Sequence, residues 1–145
     1  MFVWGLKNLI KTILALALAV VLVFAVTLWR GSRFSALKGE RVFYLYSASS
    51  QAVIKEKITL TDLFFVKGEC VTLPCVDEEK TLQELLRLYK AEILFEEEAG
   101  GVHSYYCRTL NWGDKTKING VFVNLHIAFQ EDRCVVGAPL IFGGF

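Results

Sequence analysis

The sequence predicts an α+β protein, in which an N-terminal single transmembrane helix is followed by a small antiparallel sheet packed with one main helix. Residues 12–29 carry no charge, no Pro and no Gly, which is typical of a membrane span. Residues 77–89 place apolar side chains at helical spacing. The other segments after residue 41 are short, rich in β-branched and aromatic residues, and separated by turn signals, as strands are.

The apolar segment 12–29 is long enough to cross a bilayer as a helix. Its 18 residues extend about 27 Å at 1.5 Å per residue, against a hydrocarbon core of about 30 Å. Trp4 and Trp29 lie near its two ends, where indole rings prefer the headgroup region, and Lys11 and Arg30 flank it. We therefore expect the lipid bilayer as a partner and these four residues as membrane-interface anchors.

Two other interpretations of this segment are open. A cleaved signal peptide also begins with basic residues, but its apolar core has roughly 7–15 residues. A cut after Ala36 would also leave Phe34 where a small side chain is needed. A buried helix of a soluble protein would need its uniformly apolar surface to be covered, which is hard in so small a chain. An uncleaved anchor explains the segment best.

The flanking charges give little information on membrane orientation. Basic residues lie on both sides of the span, so the positive-inside rule gives almost no preference. A short N-terminal segment before an anchor usually stays inside while the long C-terminal part crosses the membrane. We therefore expect the C-terminal domain to lie outside the cell membrane.

The chain divides by composition into a short basic N-terminal segment (1–11), the anchor (12–29), a basic juxtamembrane linker (30–41) and an α+β domain (42–145). Residues 1–41 hold six Lys or Arg and one acid, and the domain holds ten and fourteen, so their net charges are +5 and −4. A domain of net negative charge without a basic stripe is a poor binder of phosphates. We therefore expect no nucleic acid among its partners.

Local patterns place the elements of this domain. Asp77 is a good N-cap for the main helix, 77–89. The apolar stripe of this helix consists of Leu82, Leu85, Leu86 and Tyr89. Asn119-Gly120 between apolar residues is the strongest turn signal. The other predictions, in chain order, are strands at 41–47 and 52–60, a single helical turn from Thr61-Asp62, a turn at 67–69, a strand at 70–73, a hairpin of 91–97 with 102–110, a strand at 121–129, and a last strand at 134–142 that Gly137 and Pro139 make bulged or an edge strand.

The four cysteines have three interpretations. An even number beyond an exported anchor is compatible with disulfides, either Cys70 with Cys75 locally or Cys107 with Cys134 if their strands are neighbours. Free, buried thiols that act as small apolar residues are the second interpretation. A metal site is the third, but C-x4-C without a second close pair lacks the usual spacing of zinc ligands. We therefore expect no metal.

No catalytic motif is present in the sequence. Phosphate-loop, dinucleotide-binding and nucleophile-elbow patterns are missing. A Cys107–His126 pair could form across a sheet, but nothing in the spacing supports it specifically. We therefore expect neither enzymatic activity nor a cofactor. The aromatic residues Tyr105, Tyr106 and Trp112 are the candidate contact surface for a partner, with packing in the core or at a sheet edge as the alternative.

The C-terminal stretch NGVFVNLHIAFQEDRCVVGAPLIFGGF contains two short motifs. They consist of Gly120, Val123, Asn124, Leu125, Ile127 and Ala128, followed by Gly137, Pro139, Leu140, Ile141 and Phe145. This stretch resembles the end of the YwmB family of spore-forming Gram-positive bacteria, whose fold is described as similar to the TATA-box-binding protein. The resemblance implies an antiparallel sheet with helical cover, an N-terminal export or membrane signal, and no established enzymatic activity. It assigns no catalytic residue.

These features together predict a single-pass, membrane-anchored, extracytoplasmic domain that binds or scaffolds at the bacterial cell envelope. The resemblance adds an expected link to sporulation. Besides lipid, the expected partner is an envelope protein or a second copy of the chain. The alternatives are an envelope enzyme that uses a Cys/His site and a cytoplasm-facing nucleic-acid-binding module, which only the fold name of the family suggests.

Overall fold

The computed structural model describes residues 2–29, 32–46 and 52–143, and the chain forms two compact units, Met1–Ser32 and Arg33–Phe145. The first unit contains helix α1, Phe2–Trp29, of 28 residues. Within it, Lys7–Ala25 is long and apolar enough to span a membrane, with a mean hydropathy of 2.4 over 19 residues that are not buried. This helix includes Trp4, the exposed Lys11 and Trp29, whereas Arg30 lies outside the described residues.

The second unit contains one further α-helix and nine strands in the part of the chain that the structure describes. They are β1 (Glu40–Leu45), β2 (Val53–Lys55), a 3-10 turn (Asp62–Phe65), β3 (Val66–Pro74), α2 (Glu78–Tyr89), β4 (Ala91–Ala99), β5 (Val102–Thr109), β6 (Thr116–Ile118), β7 (Val121–Val123), β8 (Leu125–Gln130) and β9 (Arg133–Ala138).

Seven of these strands form one sheet in the order β2-β1-β3-β9-β8-β5-β4, and every neighbouring pair is antiparallel. Strands β6 and β7 form a separate two-stranded hairpin. The α+β class predicted from the sequence is confirmed, although the sheet is larger than the small sheet that was expected.

Helix α2 forms where its sequence pattern predicts it. The Asp77 carboxylate accepts a hydrogen bond from the backbone N–H of Lys80 at 3.0 Å, which satisfies one of the free donors of the first turn. The stripe residues Leu82, Leu85 and Tyr89 are buried against the sheet. Lys90 adopts a left-handed conformation (φ 50°) that ends the helix.

The predicted hairpin and the predicted turn at Asn119-Gly120 are also confirmed. Strands β4 and β5 pair from Ala91 with Thr109 to Ala99 with Val102, around Gly100 and Gly101. Strands β6 and β7 are joined by Asn119 and Gly120, which have φ values of 48° and 83°. Two successive positive φ values match the mirror-image turns that suit tight hairpins, and Asn-Gly adopts them most readily.

Strand β3 and the C-terminal segment differ from the prediction. The predicted turn at 67–69 is wrong, because these residues belong to β3. A Cβ on Gly68 would lie 2.5 Å from the ring of Phe142, and a Cβ on Gly137 would lie 2.7 Å from Ile141. Both glycines therefore leave room for the segment after β9 to cross the sheet. Gly68 does not form the predicted turn, and Gly137 does not form a bulge. Strand β9 is accordingly an interior strand that ends at Ala138, not an edge strand.

Two other predicted strands are shorter than expected. Of the predicted strand 52–60, only β2 is in strand conformation. The predicted strand 121–129 is divided at Asn124 into β7 and β8, because the buried side chain of Asn124 bonds to the backbone of Thr109 and of Trp112.

Most of the predicted juxtamembrane linker belongs to the folded domain. Phe34 is 0% exposed, and its ring meets those of Tyr89 and Trp112 edge-on, each at 5.7 Å between centroids. The backbone N–H of Arg33 donates to the Glu69 carboxylate at 3.0 Å, and the Arg41 guanidinium donates to the Phe34 carbonyl at 3.1 Å. The chain therefore enters the domain at Arg33, where the second compact unit begins.

Replacing Phe34 with Ala is expected to destabilise the domain by about 3–5 kcal/mol, because it removes a fully buried aromatic ring and leaves a cavity. Guanidinium unfolding of the full chain in mild detergent, followed by near-ultraviolet circular dichroism, measures the change. Val76→Ala is the control, since Val76 is fully exposed and its loss should alter stability by less than about 0.5 kcal/mol. Equal stability of the two variants would mean that residue 34 lies in a linker.

Candidate functional site

The two faces of the sheet separate the residues that the sequence suggested as functional. Side chains of successive strand residues point to opposite faces. Tyr106 pairs with His126, and Cys107 pairs with Leu125. The rings of Tyr106 and His126 stack on one face, so Cys107 points to the other face, against α2. The Cys107–His126 pair considered for catalysis therefore does not form.

Tyr105 is a core residue on the face that packs against α2. Its side chain is only 8% exposed, and its hydroxyl donates to a carboxylate oxygen of Glu78, on α2, at 2.9 Å. The same hydroxyl lies 3.1 Å from Nδ1 of His103. Burial, followed by the hydrogen bond to Glu78, raises the pKa of Tyr105. This tyrosine therefore joins the helix to the sheet and offers little surface to a partner.

Trp112 packs against the same side of the sheet from the loop after β5. Its ring centroid lies 5.7 Å from that of Phe34 and 5.2 Å from that of Tyr89, and the Arg33 guanidinium lies 5.8 Å above it. Tyr105 and Trp112 thus take part in packing on the α2 side, while Tyr106 lies on the opposite face. The three residues do not form one continuous surface.

An aromatic stack occupies the face opposite α2. Phe95, Tyr106 and His126, on strands β4, β5 and β8, stack with 4.4 Å between successive ring centroids and interplanar angles of 15° and 16°. Offset stacking of this kind is favourable beyond the apolar area it buries. The stack holds three neighbouring strands together where α2 gives no cover.

His126 is the most unusual titratable group in this stack. It is 6% exposed, and burial lowers its pKa to about 4, so the ring is neutral at pH 7. Its Nδ1 accepts a long hydrogen bond of 3.4 Å from the backbone N–H of Ile141, which assigns the ring proton to Nε2. Within the described residues, that Nε2 is buried without a hydrogen-bond partner.

The four cysteines are free, buried thiols. Burial raises the pKa of Cys70 to about 11 and the pKa of Cys107 and of Cys134 to about 12. Because the thiolate is the reactive form, these groups are poor nucleophiles at neutral pH.

Strand geometry accounts for the absence of the two disulfides considered. Cys70 and Cys75 are five residues apart along extended chain, about 16 Å at 3.3 Å per residue. Cys107 and Cys134 lie on β5 and β9, strands about 9–10 Å apart because β8 separates them. They are also offset along β8, since Cys107 pairs with Leu125 and Cys134 with Phe129. A disulfide needs Cα atoms within about 7 Å.

The described residues contain no group of three His, Cys, Asp or Glu side chains that could hold a metal ion. The acidic side chains near His103 contact its imidazole instead: Nδ1 of His103 lies 2.7 Å from Glu78, and Nε2 lies 3.7 Å from Glu96. These partly exposed contacts join the start of α2 to the β4–β5 hairpin.

Comparison of the chain with protein-family models, with curated proteins and with solved structures found no match. The resemblance to the YwmB family therefore stays a prediction. Two of its motif residues have a clear physical role here. Asn124 bonds to the backbone of β5 and of the following loop, and Gly137 leaves room for Ile141.

The positions of the exposed apolar side chains of the domain become clear in the fold. Four of the exposed apolar residues in the domain are grouped by the fold: Phe64, Phe65 and Leu110 lie at one end of the seven-stranded sheet, and Phe122 lies in the β6–β7 hairpin, which precedes β8 at that end. This grouping could have been found from the hairpins alone, because antiparallel pairing fixes which loops share an end of a sheet.

Lowering the pH from 7 to 5 is expected to reduce the free energy of unfolding, because the unfolded chain, in which His126 titrates near 6.5, binds a proton before the folded chain does. Stability from this group is complete above pH 6.5 and is lost as the pH falls toward 4, with about 2 kcal/mol lost by pH 5. Denaturant unfolding at pH 7 and at pH 5 measures this change in the free energy of unfolding. His126→Phe should flatten the pH dependence while keeping the aromatic stack, whereas Val76→Ala, at an exposed position with no titratable group, should leave the pH dependence unchanged. An unchanged slope in His126→Phe would contradict the assignment.

The thiols are expected to be unreactive in the folded protein. A bulky, water-soluble disulfide reagent should modify no cysteine of the native chain within minutes, and all four after unfolding in guanidinium without reductant, because all four are buried. The raised pKa of Cys70, Cys107 and Cys134 suppresses attack at those three further. Reaction of only two thiols after unfolding would instead show that the other two form a disulfide. Rapid reaction of the native chain would show an accessible thiol.

Proposed function

We propose that this protein is a single-pass, membrane-anchored domain that binds or scaffolds at the bacterial cell envelope, with the domain outside the cell membrane. The observation that carries the proposal is the direct connection of two very different units. An apolar helix long enough to span a bilayer ends at Trp29, and a compact sheet domain begins at Arg33. A chain built this way holds its domain at a membrane surface.

The chemistry of the domain favours binding over catalysis. The thiols of Cys107 and Cys134 and the imidazole of His126 are buried, and burial shifts each pKa away from the reactive range. A general base or nucleophile needs access to substrate and a pKa near the working pH. These groups have neither, which weighs against an envelope enzyme that uses a Cys/His site.

A nucleic-acid-binding module has less support than an envelope domain. The domain carries a net charge of −4 over residues 42–145, whereas affinity for phosphates comes mainly from Lys and Arg. The resemblance of the C-terminal motifs to the YwmB family supports an envelope role linked to sporulation, and an envelope protein or a second copy of the chain is the proposed protein partner.

Protease treatment of intact protoplasts tests the sidedness of the domain. With an epitope tag after Phe145, we expect the tag to be lost while cytoplasmic markers survive, because a C-terminal domain outside the membrane is open to the protease. The matched control carries the tag before Met1, where it should be protected until lysis. A protected C-terminal tag would place the domain in the cytoplasm and would reject the extracytoplasmic part of the proposal.

A further inference from the structure

One end of the sheet carries a surface that combines exposed apolar and basic side chains. Strands β1 and β5 end there, and β3 and β8 begin there. We call it the tether-end surface. It consists of Phe64, Phe65 and Lys67 around the start of β3, Leu110 and Lys115 in the loop after β5, and Phe122 in the adjoining β6–β7 hairpin. Phe64 and Phe65 are 62% and 57% exposed, and Leu110 and Phe122 are 94% and 45% exposed. Such a concentration of exposed large apolar side chains marks an interaction surface.

The two lysines lie beside aromatic rings of this surface. Lys115 places its ammonium 4.5 Å from the ring centroid of Phe122. Lys67 places its ammonium 4.7 Å from the ring centroid of Phe142 and 6.0 Å from that of Tyr46. An ammonium that lies over an aromatic ring keeps its charge beside apolar surface, which suits the boundary between an apolar phase and a charged layer.

The chain enters the domain between the two halves of this surface. The backbone N–H of Arg33 bonds to Glu69 on β3, the strand that follows Phe64 and Phe65. The Arg33 guanidinium pairs with Asp114, in the loop that joins Leu110 to the β6–β7 hairpin. Residues on both sides of the entry point are thus exposed and apolar.

The opposite end of the sheet is acidic. Eight of the fourteen acids in residues 42–145 lie there, at the start of α2, at the β4–β5 turn and at the β8–β9 turn. They are Asp77, Glu78, Glu79, Glu96, Glu97, Glu98, Glu131 and Asp132. The net negative charge of the domain is therefore concentrated away from the tether-end surface.

We propose that the tether-end surface docks on the lipid bilayer, with its aromatic and leucine side chains at the acyl boundary and its lysines at anionic headgroups. The inference rests on the proposed membrane anchoring. Only residues 30–32 separate the end of α1 at Trp29 from Arg33, a reach of about 14 Å over four residue steps. Tethering at this length gives lipid a very high effective concentration at the surface, and the acidic end points away from anionic headgroups.

The test uses the full chain in nanodiscs of mixed phosphatidylcholine and phosphatidylglycerol. Leu110→Cys and Phe65→Cys each receive an environment-sensitive fluorophore, and Val76→Cys, at a fully exposed apolar position of the acidic end, is the matched control. The native cysteines are buried, and the unsubstituted chain measures their background. We expect blue-shifted emission that spin-labelled lipids quench at positions 65 and 110 but not at position 76.

A second comparison tests the charge contribution. The double variant Lys67→Glu, Lys115→Glu should reduce quenching at position 110. Discs of pure phosphatidylcholine should also reduce this quenching when both lysines are present. Lys80→Glu, at the acidic end, should leave it unchanged. Equal reduction by Lys80→Glu would overturn the role of these two lysines.

The remaining outcomes separate the two proposals. Equal quenching at positions 110 and 76 would overturn docking. A blue shift that spin-labelled lipids do not quench, and that appears only with two chains per disc, would also overturn docking, because a second copy of the chain would then cover the surface. Failure of the chain to co-purify with discs is measured independently of fluorescence. It would overturn the membrane anchoring and, with it, the docking.

Discussion

The side-chain amide of Asn124 holds together the parts of the domain on which the rest depends. Its oxygen accepts from the backbone N–H of Thr109 at 2.8 Å, and its nitrogen donates to the carbonyls of Thr109 and Trp112 at 2.7 and 3.0 Å. The Thr109 hydroxyl in turn donates to the carbonyl of Tyr89, at the end of α2, at 2.5 Å. All of these groups sit in a largely buried region, where an unpaired donor or acceptor is costly. The position of Trp112 against Phe34, and hence the point where the chain enters, follows from this network.

The distribution of charge in the domain matters more than its total. If the net charge of −4 over residues 42–145 were spread uniformly, anionic lipid would repel the domain. The fold instead gathers Glu96, Glu97 and Glu98 with the other acids at one end of the sheet, and leaves Lys67 and Lys115 among aromatic rings at the other. Ionic interactions between exposed groups fade over about one Debye length, roughly 8 Å at physiological salt. A surface close to one end of the sheet therefore responds mainly to the charges at that end.

Elements that depend on neighbouring residues could be predicted from the sequence, and those that depend on distant contacts could not. Helix α2 and the hairpin at Asn119-Gly120 are specified by a local cap, a local stripe and a local turn. The sequence around Gly68 predicts a turn because the residue that packs against it, Phe142, is far away in the sequence. The sequence around Phe34 predicts a linker for the same reason. For the candidate site, the alternation of side chains along a strand could already have separated Tyr105 from Tyr106, whereas the depth of burial of His126 required the complete fold.

Phe34 is buried only five residues after the end of α1 in the sequence, which has a mechanical consequence. Only residues 30–32 lie between Trp29 and Arg33, so the connection has little length to extend before a pull along the chain reaches Phe34 and the aromatic rings around it. If the helix spans a membrane, the domain would diffuse in two dimensions with it, and a binding partner would have to reach the membrane plane to meet the domain.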